Sequence, residues 1–338
     1  MTKIEIRPPY LLFTGNETEI TYAKTAAGLA QWRPGLCRGQ IRLPGGTVDL
    51  GLPDMTLGTA VSQGVKSLVI GTAAVGGGIP GEWMDLLEEA ARKGLDIVAG
   101  VHSRLNDNPR LKNAAEASGA KLVDVRTAPA ELPVGTGKKR SGKRLLTVGT
   151  DCALGKKYTA LALERDMKAA SLDATFRASG QTGIMIAGEG IPIDCVVADF
   201  ISGAAELLSP DNKPDHWDIV EGQGGIFHPG YSAVSMGLLV GSQPDAFVVC
   251  TEAGRTHIEG WPEFELPSIE AVIERTIAIG SQVNPEIKCV GIAVNTSTIP
   301  HEERQPYLAA LAERTGLPCV DPLTNGTKPI VEYMLGVT

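Results

Sequence analysis

The chain has 338 residues, with 31 lysines and arginines against 39 aspartates and glutamates, a formal charge of −8 and a pI near 5.3. That length exceeds one ordinary core and accommodates two, while the acidic balance argues against nucleic acid, whose phosphates ask for a basic face. Six scattered cysteines without a CxxC pair, no apolar leader in MTKIEIRPPY and no run of 18 apolar residues point to a cytoplasmic small-molecule enzyme or binding protein, neither exported nor membrane-inserted.

In chain order, YLLF is expected as an edge strand, and GLCRGQIRLPGGTVDLGLPDMTLGTA is turn-rich and has no clear assignment. SLVIG (67–71) predicts a strand, and EWMDLLEEAARKG (82–94) predicts a helix with Leu86, Leu87, Ala90 and Ala91 on one stripe and Gly94 as its stop. DIVAG (96–100), a helix near 109–118 and KLVDV (121–125) continue the alternation. This βαβαβ pattern predicts a Rossmann-like parallel sheet in the first domain.

Between them, GGGIPG (76–81) has dinucleotide-loop spacing, but Pro80 intrudes and no acidic residue ends the following strand. Dinucleotide binding is not expected there. The run APAELPVGTGKKRSGKR is polar, basic and aperiodic, and it reads as a solvated linker carrying Lys138, Lys139, Arg140, Lys143 and Arg144. The expected division is residues 1–130, a linker at 131–143 and a second domain at 144–338.

The second domain opens on the strand LLTVG and the loop GTDCALGKK, then the helix KKYTALALERDMKAA (156–170). Strands are expected at ATFRAS, CVVAD, DIVEG, DAFVVCT and KCVGIAVN, with a helix at SIEAVIERTIAIG (268–280). That is a P-loop-like, doubly wound α/β domain, whose ligands gather at the carboxyl ends of the strands. A strand, a glycine-bearing loop and a helix opening on two lysines surround an anion with backbone N–H groups and positive charge. Candidate phosphate ligands are Thr150, Asp151, Cys152, Ala153, Leu154, Gly155, Lys156, Lys157, Tyr158 and Thr159. Lys157 stands where a nucleotide-splitting loop has the magnesium-binding hydroxyl, and Thr159 is the nearest replacement.

Three strand ends supply the other candidates. HWDIVEGQGGIFHPG ends a strand on Glu221, beside Gly224, Gly225 and His228; Glu221 either caps a turn or serves a ligand as metal holder or base. In TFRASGQTGIMIAGEG, Arg177 suits a substrate carboxylate, and Ser179, Gln181 and Thr182 could hydrogen-bond a polar substrate; the rival reading of Arg177 is structural. VVADF places Asp199 at an expected strand end, and Glu252, Arg255 and Asn295 hold the next two ends as lesser candidates. The five histidines lack metal-ligand spacing, so no metal site is expected.

GTDCALGKK together with VEGQGG resembles the two motifs of dethiobiotin-synthetase-like P-loop proteins, GTDTxxGKT and VEGAGG, with Lys157 in place of a threonine. The whole chain resembles the bacterial D-glutamate N-acetyltransferase family (DgcN type), more closely from Leu145 onward. The resemblance implies acetyl-CoA as co-substrate and an enzyme of D-amino acid metabolism, with the diphosphate of CoA held by a loop that splits no nucleotide. Glu221, Asp199 and His228 are then the candidate bases for the glutamate amine, and Gly224 and Gly225 candidate oxyanion donors. The D configuration comes from the resemblance alone. The alternative is a magnesium- and ATP-dependent ligase or kinase using Glu221 and Thr159 to hold the metal. A nucleotide sensor is the non-catalytic reading, and a homodimer is expected from base rates.

Overall fold

The computed structural model of the chain describes residues 4, 6–72 and 78–338. They form two compact units: Thr2–Thr127 with Gln181–Pro192, and Ala128–Gly180 with Ile193–Thr338. Among the described residues, no helix is long and apolar enough to cross a membrane.

The first unit runs β1 (Tyr10–Phe13), α1 (Lys24–Trp32), β2 (Cys37–Ile41), α2 (Leu57–Ser62), β3 (Ser67–Ile70), α3 (Met84–Arg92), β4 (Asp96–Ala99), α4 (Pro109–Ser118) and β5 (Leu122–Asp124). All pairs are parallel, in the order β2-β1-β3-β4-β5. YLLF, expected at the edge, is therefore an inner strand, and all four of its residues are buried. The edge beside it is β2, inside the turn-rich stretch that has no clear assignment from sequence. Its alternation is broken by Gly39 and Gln40, which removes the periodic signal. Leu11, Phe13, Leu68, Ile70, Leu87 and Ile97 share one core, where Trp83 meets Phe13 edge to face at 5.2 Å. Asn108 caps α4 through the N–H groups of Arg110 and Leu111. The glycine run at 76–81 lies partly outside the described residues; from Gly78 onward it leads into a one-turn helix at Gly81–Trp83.

The second unit contains β6 (Lys143–Gly149), α5 (Lys156–Ala169) and β7 (Ala174–Arg177). After β7 comes α6 (Gln181–Ala187), which belongs to the first unit and packs there on α1. The second unit then continues with α7 (Ile201–Leu208), β8 (Trp217–Val220), α8 (Ser232–Ser242), β9 (Ala246–Glu252), the hairpin β10 (His257–Ile258) and β11 (Trp261–Glu265), α9 (Ile269–Gly280), β12 (Lys288–Asn295), α10 (His301–Thr315), β13 (Cys319–Val320) and α11 (Lys328–Val337). The sheet is parallel, in the order β13-β12-β9-β6-β8-β7. The first strand thus lies inside the sheet with β9 on one side and β8 on the other. The strand order reverses there, which opens the crevice where such sheets take ligands.

Two expectations fail in this unit. CVVAD forms no strand: Ile193–Cys195 and Ala198–Phe200 are single 3-10 turns, and Val197 is exposed where a strand between neighbours would bury it. The basic run before β6 is exposed at Lys138 and Lys139, but Arg140 and, on β6 itself, Arg144 are not solvated. The Arg144 side chain is fully buried, donating to Ser209 Oγ and to the carbonyls of Arg140, Ser141, Gly142 and Pro210. Arg140 in turn donates to the carbonyls of Ser209 and Gly241, which are left over at chain turns. These arginines are structural.

Candidate active site

The loop after β6 is tightly turned: Gly155 at the start of α5 has φ +97° and Ala153 has φ +55°, left-handed values of the kind found in anion-binding backbone turns. Lys156, the first residue of α5, is buried and donates its Nζ to the Asp151 carbonyl at 2.6 Å. Burial pushes its pKa down from the ordinary lysine value. The Asp151 carboxylate braces the loop from behind. Oδ1 accepts the Cys152 N–H at 2.6 Å, and Oδ2 accepts from Arg255 Nη1 at 2.9 Å and from the Glu259 N–H at 2.8 Å. Arg255 also donates to the Cys152 carbonyl and to Glu252, which accepts from Asn295. The three lesser candidates of the sequence therefore form one clamp on the loop, and the hairpin β10–β11 delivers Glu259 to it. No sequence signal marks that hairpin, whose β11 residues are exposed or half-buried.

Glu221 follows β8 and is buried. Its Oε2 accepts the N–H groups of Ser179 and Gly180 at 3.0 and 3.1 Å. Burial nonetheless raises its pKa to about 7, against the opposing pull of Lys157, of those two N–H groups and of Lys156. Lys157 is thus close enough to act on the carboxylate, and its ammonium also lies 4.2 Å from the Tyr158 ring. Gly222 is a steric requirement, because a Cβ there would lie 1.6 Å from the Thr147 carbonyl oxygen on β6. The Gly222 N–H donates to Thr147 Oγ1, which fixes the tip of β8 against β6.

The remaining candidates divide. Ser179 is fully buried and holds the same tip, donating Oγ to the Glu221 carbonyl at 2.5 Å and accepting from Gln223 Nε2. Gly224, at φ +56°, and Gly225, packed on Asp151, continue the wall. Arg177 is committed elsewhere: its Nε donates to Asp218 Oδ1 at 2.7 Å, which favours the structural reading. Gln181 and Thr182 belong to the first unit, where Thr182 Oγ1 meets Thr25 Oγ1 at 2.6 Å and Gln181 packs on Gly100. Asp199 is exposed on its one-turn helix. The Thr159 hydroxyl accepts from Cys250 Sγ and is buried. Thr150 Oγ1 similarly meets Thr251 Oγ1. Leu154 is buried and Cys152 half-buried, with its thiol pKa pushed up by burial, the opposite of an activated nucleophile.

His228 is buried between the rings of Tyr231 and Trp261, with centroids at 4.5 and 4.6 Å. Its Nδ1 accepts the Gly230 N–H at 3.1 Å, so in the neutral ring the proton sits on Nε2. Nε2 has no hydrogen-bond partner and faces Asp151 Oδ1 at 3.7 Å. Ligand atoms of Asp151, Cys152 and His228 lie within 4.8 Å of one another, but a protonated Nε2 offers a metal no lone pair. Arg255 already occupies the carboxylate's other oxygen.

Residues 133–331 match the domain of unknown function DUF1611_C, described as a P-loop domain, and residues 42–128 match DUF1611_N, a Rossmann-like domain. The chain is 47% identical over 332 residues to a D-glutamate N-acetyltransferase of Tritonibacter scottomollicae, covering 98% of this chain and 100% of that one. It is 46% identical over 328 residues to a D-glutamate N-acetyltransferase of a Pseudoalteromonas species, covering 97% and 99%. The crystal structure of a DUF1611 family protein from Anabaena variabilis superposes with a TM-score of 0.87 at 30% identity, covering 98% of this chain and all of that one.

Proposed function

This chain belongs to the DUF1611 family and is a relative of two D-glutamate N-acetyltransferases, and we propose that it uses acetyl-CoA, anchoring the CoA diphosphate in the loop Gly149–Lys157 without a metal ion. It is an N-acetyltransferase acting on glutamate, as its full-length relatives are. The D enantiomer rests on what those relatives act on, while acetyl-CoA and the residue roles rest on the chemistry of the site.

The observation that carries the metal-free reading is that Lys157 stands where such loops carry the hydroxyl and that its charge acts on Glu221. In a nucleotide-splitting P-loop, a hydroxyl after the lysine and a strand-end carboxylate share a magnesium ion. Here the hydroxyl is replaced by an ammonium whose charge acts on that same carboxylate. Lysine charge takes the place of metal charge, and Thr159 lies against Cys250, so it offers no replacement ligand. Lys156 and the N–H groups of the loop suit a diphosphate, whose negative charge they match.

Glu221 is proposed as the base. An amine must lose a proton to attack a thioester carbonyl, and a carboxylate held near pH 7 accepts it without giving up driving force. The nitrogen then bonds to the acetyl carbon, the carbon–sulfur bond breaks, and CoA leaves as the thiolate, which takes up a proton. Gly224 and Gly225 are proposed to donate N–H groups to the carbonyl oxygen as it gains charge.

The test is release of free thiol from acetyl-CoA in the presence of chelator, with D-glutamate, L-glutamate or neither. D-glutamate-dependent release is expected. No thiol release, with glutamate-dependent cleavage of ATP once magnesium is supplied, would establish the ligase reading instead.

A further inference from the structure

His228 combines two observations that the transfer chemistry does not use. Its ring is sealed from solvent, and its Nε2–H is a donor without an acceptor, 3.7 Å from a carboxylate oxygen. A base needs a free lone pair in reach of substrate. His228 has spent its only one on the Gly230 N–H, so proton transfer is not its task.

The aspartate it faces explains the gap. Asp151 Oδ1 is held by the Cys152 N–H, while Oδ2 is held by Arg255 and Glu259. The Cys152 N–H is a backbone group of the phosphate loop itself, and while it points at Asp151 it cannot point at an anion. Something must receive Oδ1 when that N–H turns away. His228 Nε2 is the donor in place, less than 1 Å beyond hydrogen-bond length.

We propose that His228 is a positioning residue for the anion site: as phosphate oxygens enter the loop, the Cys152 N–H turns from Asp151 to the anion, and His228 Nε2–H takes over Oδ1. The proposal rests on the reading that the loop anchors CoA. The carboxylate stays satisfied in both states, and the loop is released to bind without leaving a buried charge unpaired. Tyr231 and Trp261 pack against the ring and restrict its movement. The Gly230 N–H fixes the tautomer that makes Nε2 a donor.

The test uses the full chain with His228→Phe, which keeps a ring but removes the donor, and His228→Gln, whose amide N–H reaches the position of Nε2. CoA affinity, the KM for acetyl-CoA and kcat are measured for both, beside Lys156→Ala as a control on the anchor. Histidine nitrogen NMR of the wild type, free and with CoA, follows the ring directly. We expect His228→Phe to weaken CoA binding and raise the KM on the order of tenfold, the loss of one hydrogen bond to a charged group, with kcat within about threefold. His228→Gln should recover most of this loss, and the Nε2–H proton should shift downfield on CoA binding. Wild-type affinity in the Phe variant, or a fall in kcat at constant KM, would overturn the proposal. CoA binding indifferent to Lys156→Ala would overturn the anchoring reading, and this inference with it.

Discussion

Two buried charged clusters occupy the second unit's sheet, and they are built on opposite terms. At the start of β6 and in β8, Arg144 and Asp218 are buried, and every charge is met. Asp218 accepts from Arg177 and Ser209 and contacts His216, while Arg144 is ringed by carbonyls. At the far end of the same strands, Glu221 is held partly against its ionised form, Lys156 leans on a carbonyl of its own loop, and His228 has a donor with nothing to bind. A buried charge with a full set of partners stabilises one arrangement. A buried charge left short of partners is poised for a ligand or a proton.

Variants should separate the two clusters. The largest effect is expected from Glu221→Gln, which keeps the side-chain shape and removes the base; kcat should fall roughly 10²- to 10⁴-fold while CoA still binds. In the wild type, kcat should rise with pH through about 7, the pKa to which burial lifts Glu221. That limb should vanish in the variant. Lys156→Ala should raise the KM for acetyl-CoA by roughly 10²-fold through lost charge-assisted contacts, with kcat at saturation much less affected.

Asp218→Asn should do the reverse. Removing the charge leaves Arg177 without its carboxylate and disturbs Ser209, through which Asp218 reaches Arg144, and breaking such a cluster costs on the order of 3–5 kcal/mol. Chemical denaturation should show that loss, with specific activity of the folded fraction unchanged. A catalytic defect without loss of stability would place Asp218 in the site.

A smaller effect concerns stability and pH. The folded protein keeps the Glu221 proton up to about pH 7, whereas an unfolded glutamate releases it near 4.5, so the folded state is disfavoured progressively as pH rises from 4.5 to 7. Glu221→Gln should therefore melt higher than wild type at pH 8 and alike near pH 4. Cys152→Ala should be the quietest change, with turnover within a few-fold. Loss of activity with CoA binding intact would indicate an acetyl-cysteine intermediate.

The contrast also explains what the sequence disclosed. GTDCALGKK and VEGQGG are contiguous, and their glycines answer to local geometry: the positive φ of Gly155 and the crowding of Gly222 against Thr147. Both motifs were legible without a structure. Arg177 was not, because its partner Asp218 is 41 residues away and meets it only through the pairing of β7 with β8. Arg255 and Asn295 read as separate strand-end residues until the hairpin and β9 brought them to Asp151 and Glu252. Gln181 and Thr182 sit next to Ser179 in sequence, yet the chain passes into the first unit between Gly180 and Gln181. Asp199 followed an apolar run, VVAD, with no second strand against which to bury.

The claim that lysine charge replaces metal charge is tested most directly by calorimetric titration of the protein with CoA and with ATP, each in chelator and in magnesium. The account predicts CoA binding of equal strength in both conditions, abolished or strongly weakened by Lys157→Thr together with Lys156→Ala. CoA binding that needs magnesium, or tight magnesium-dependent ATP binding with no affinity for CoA, would contradict it.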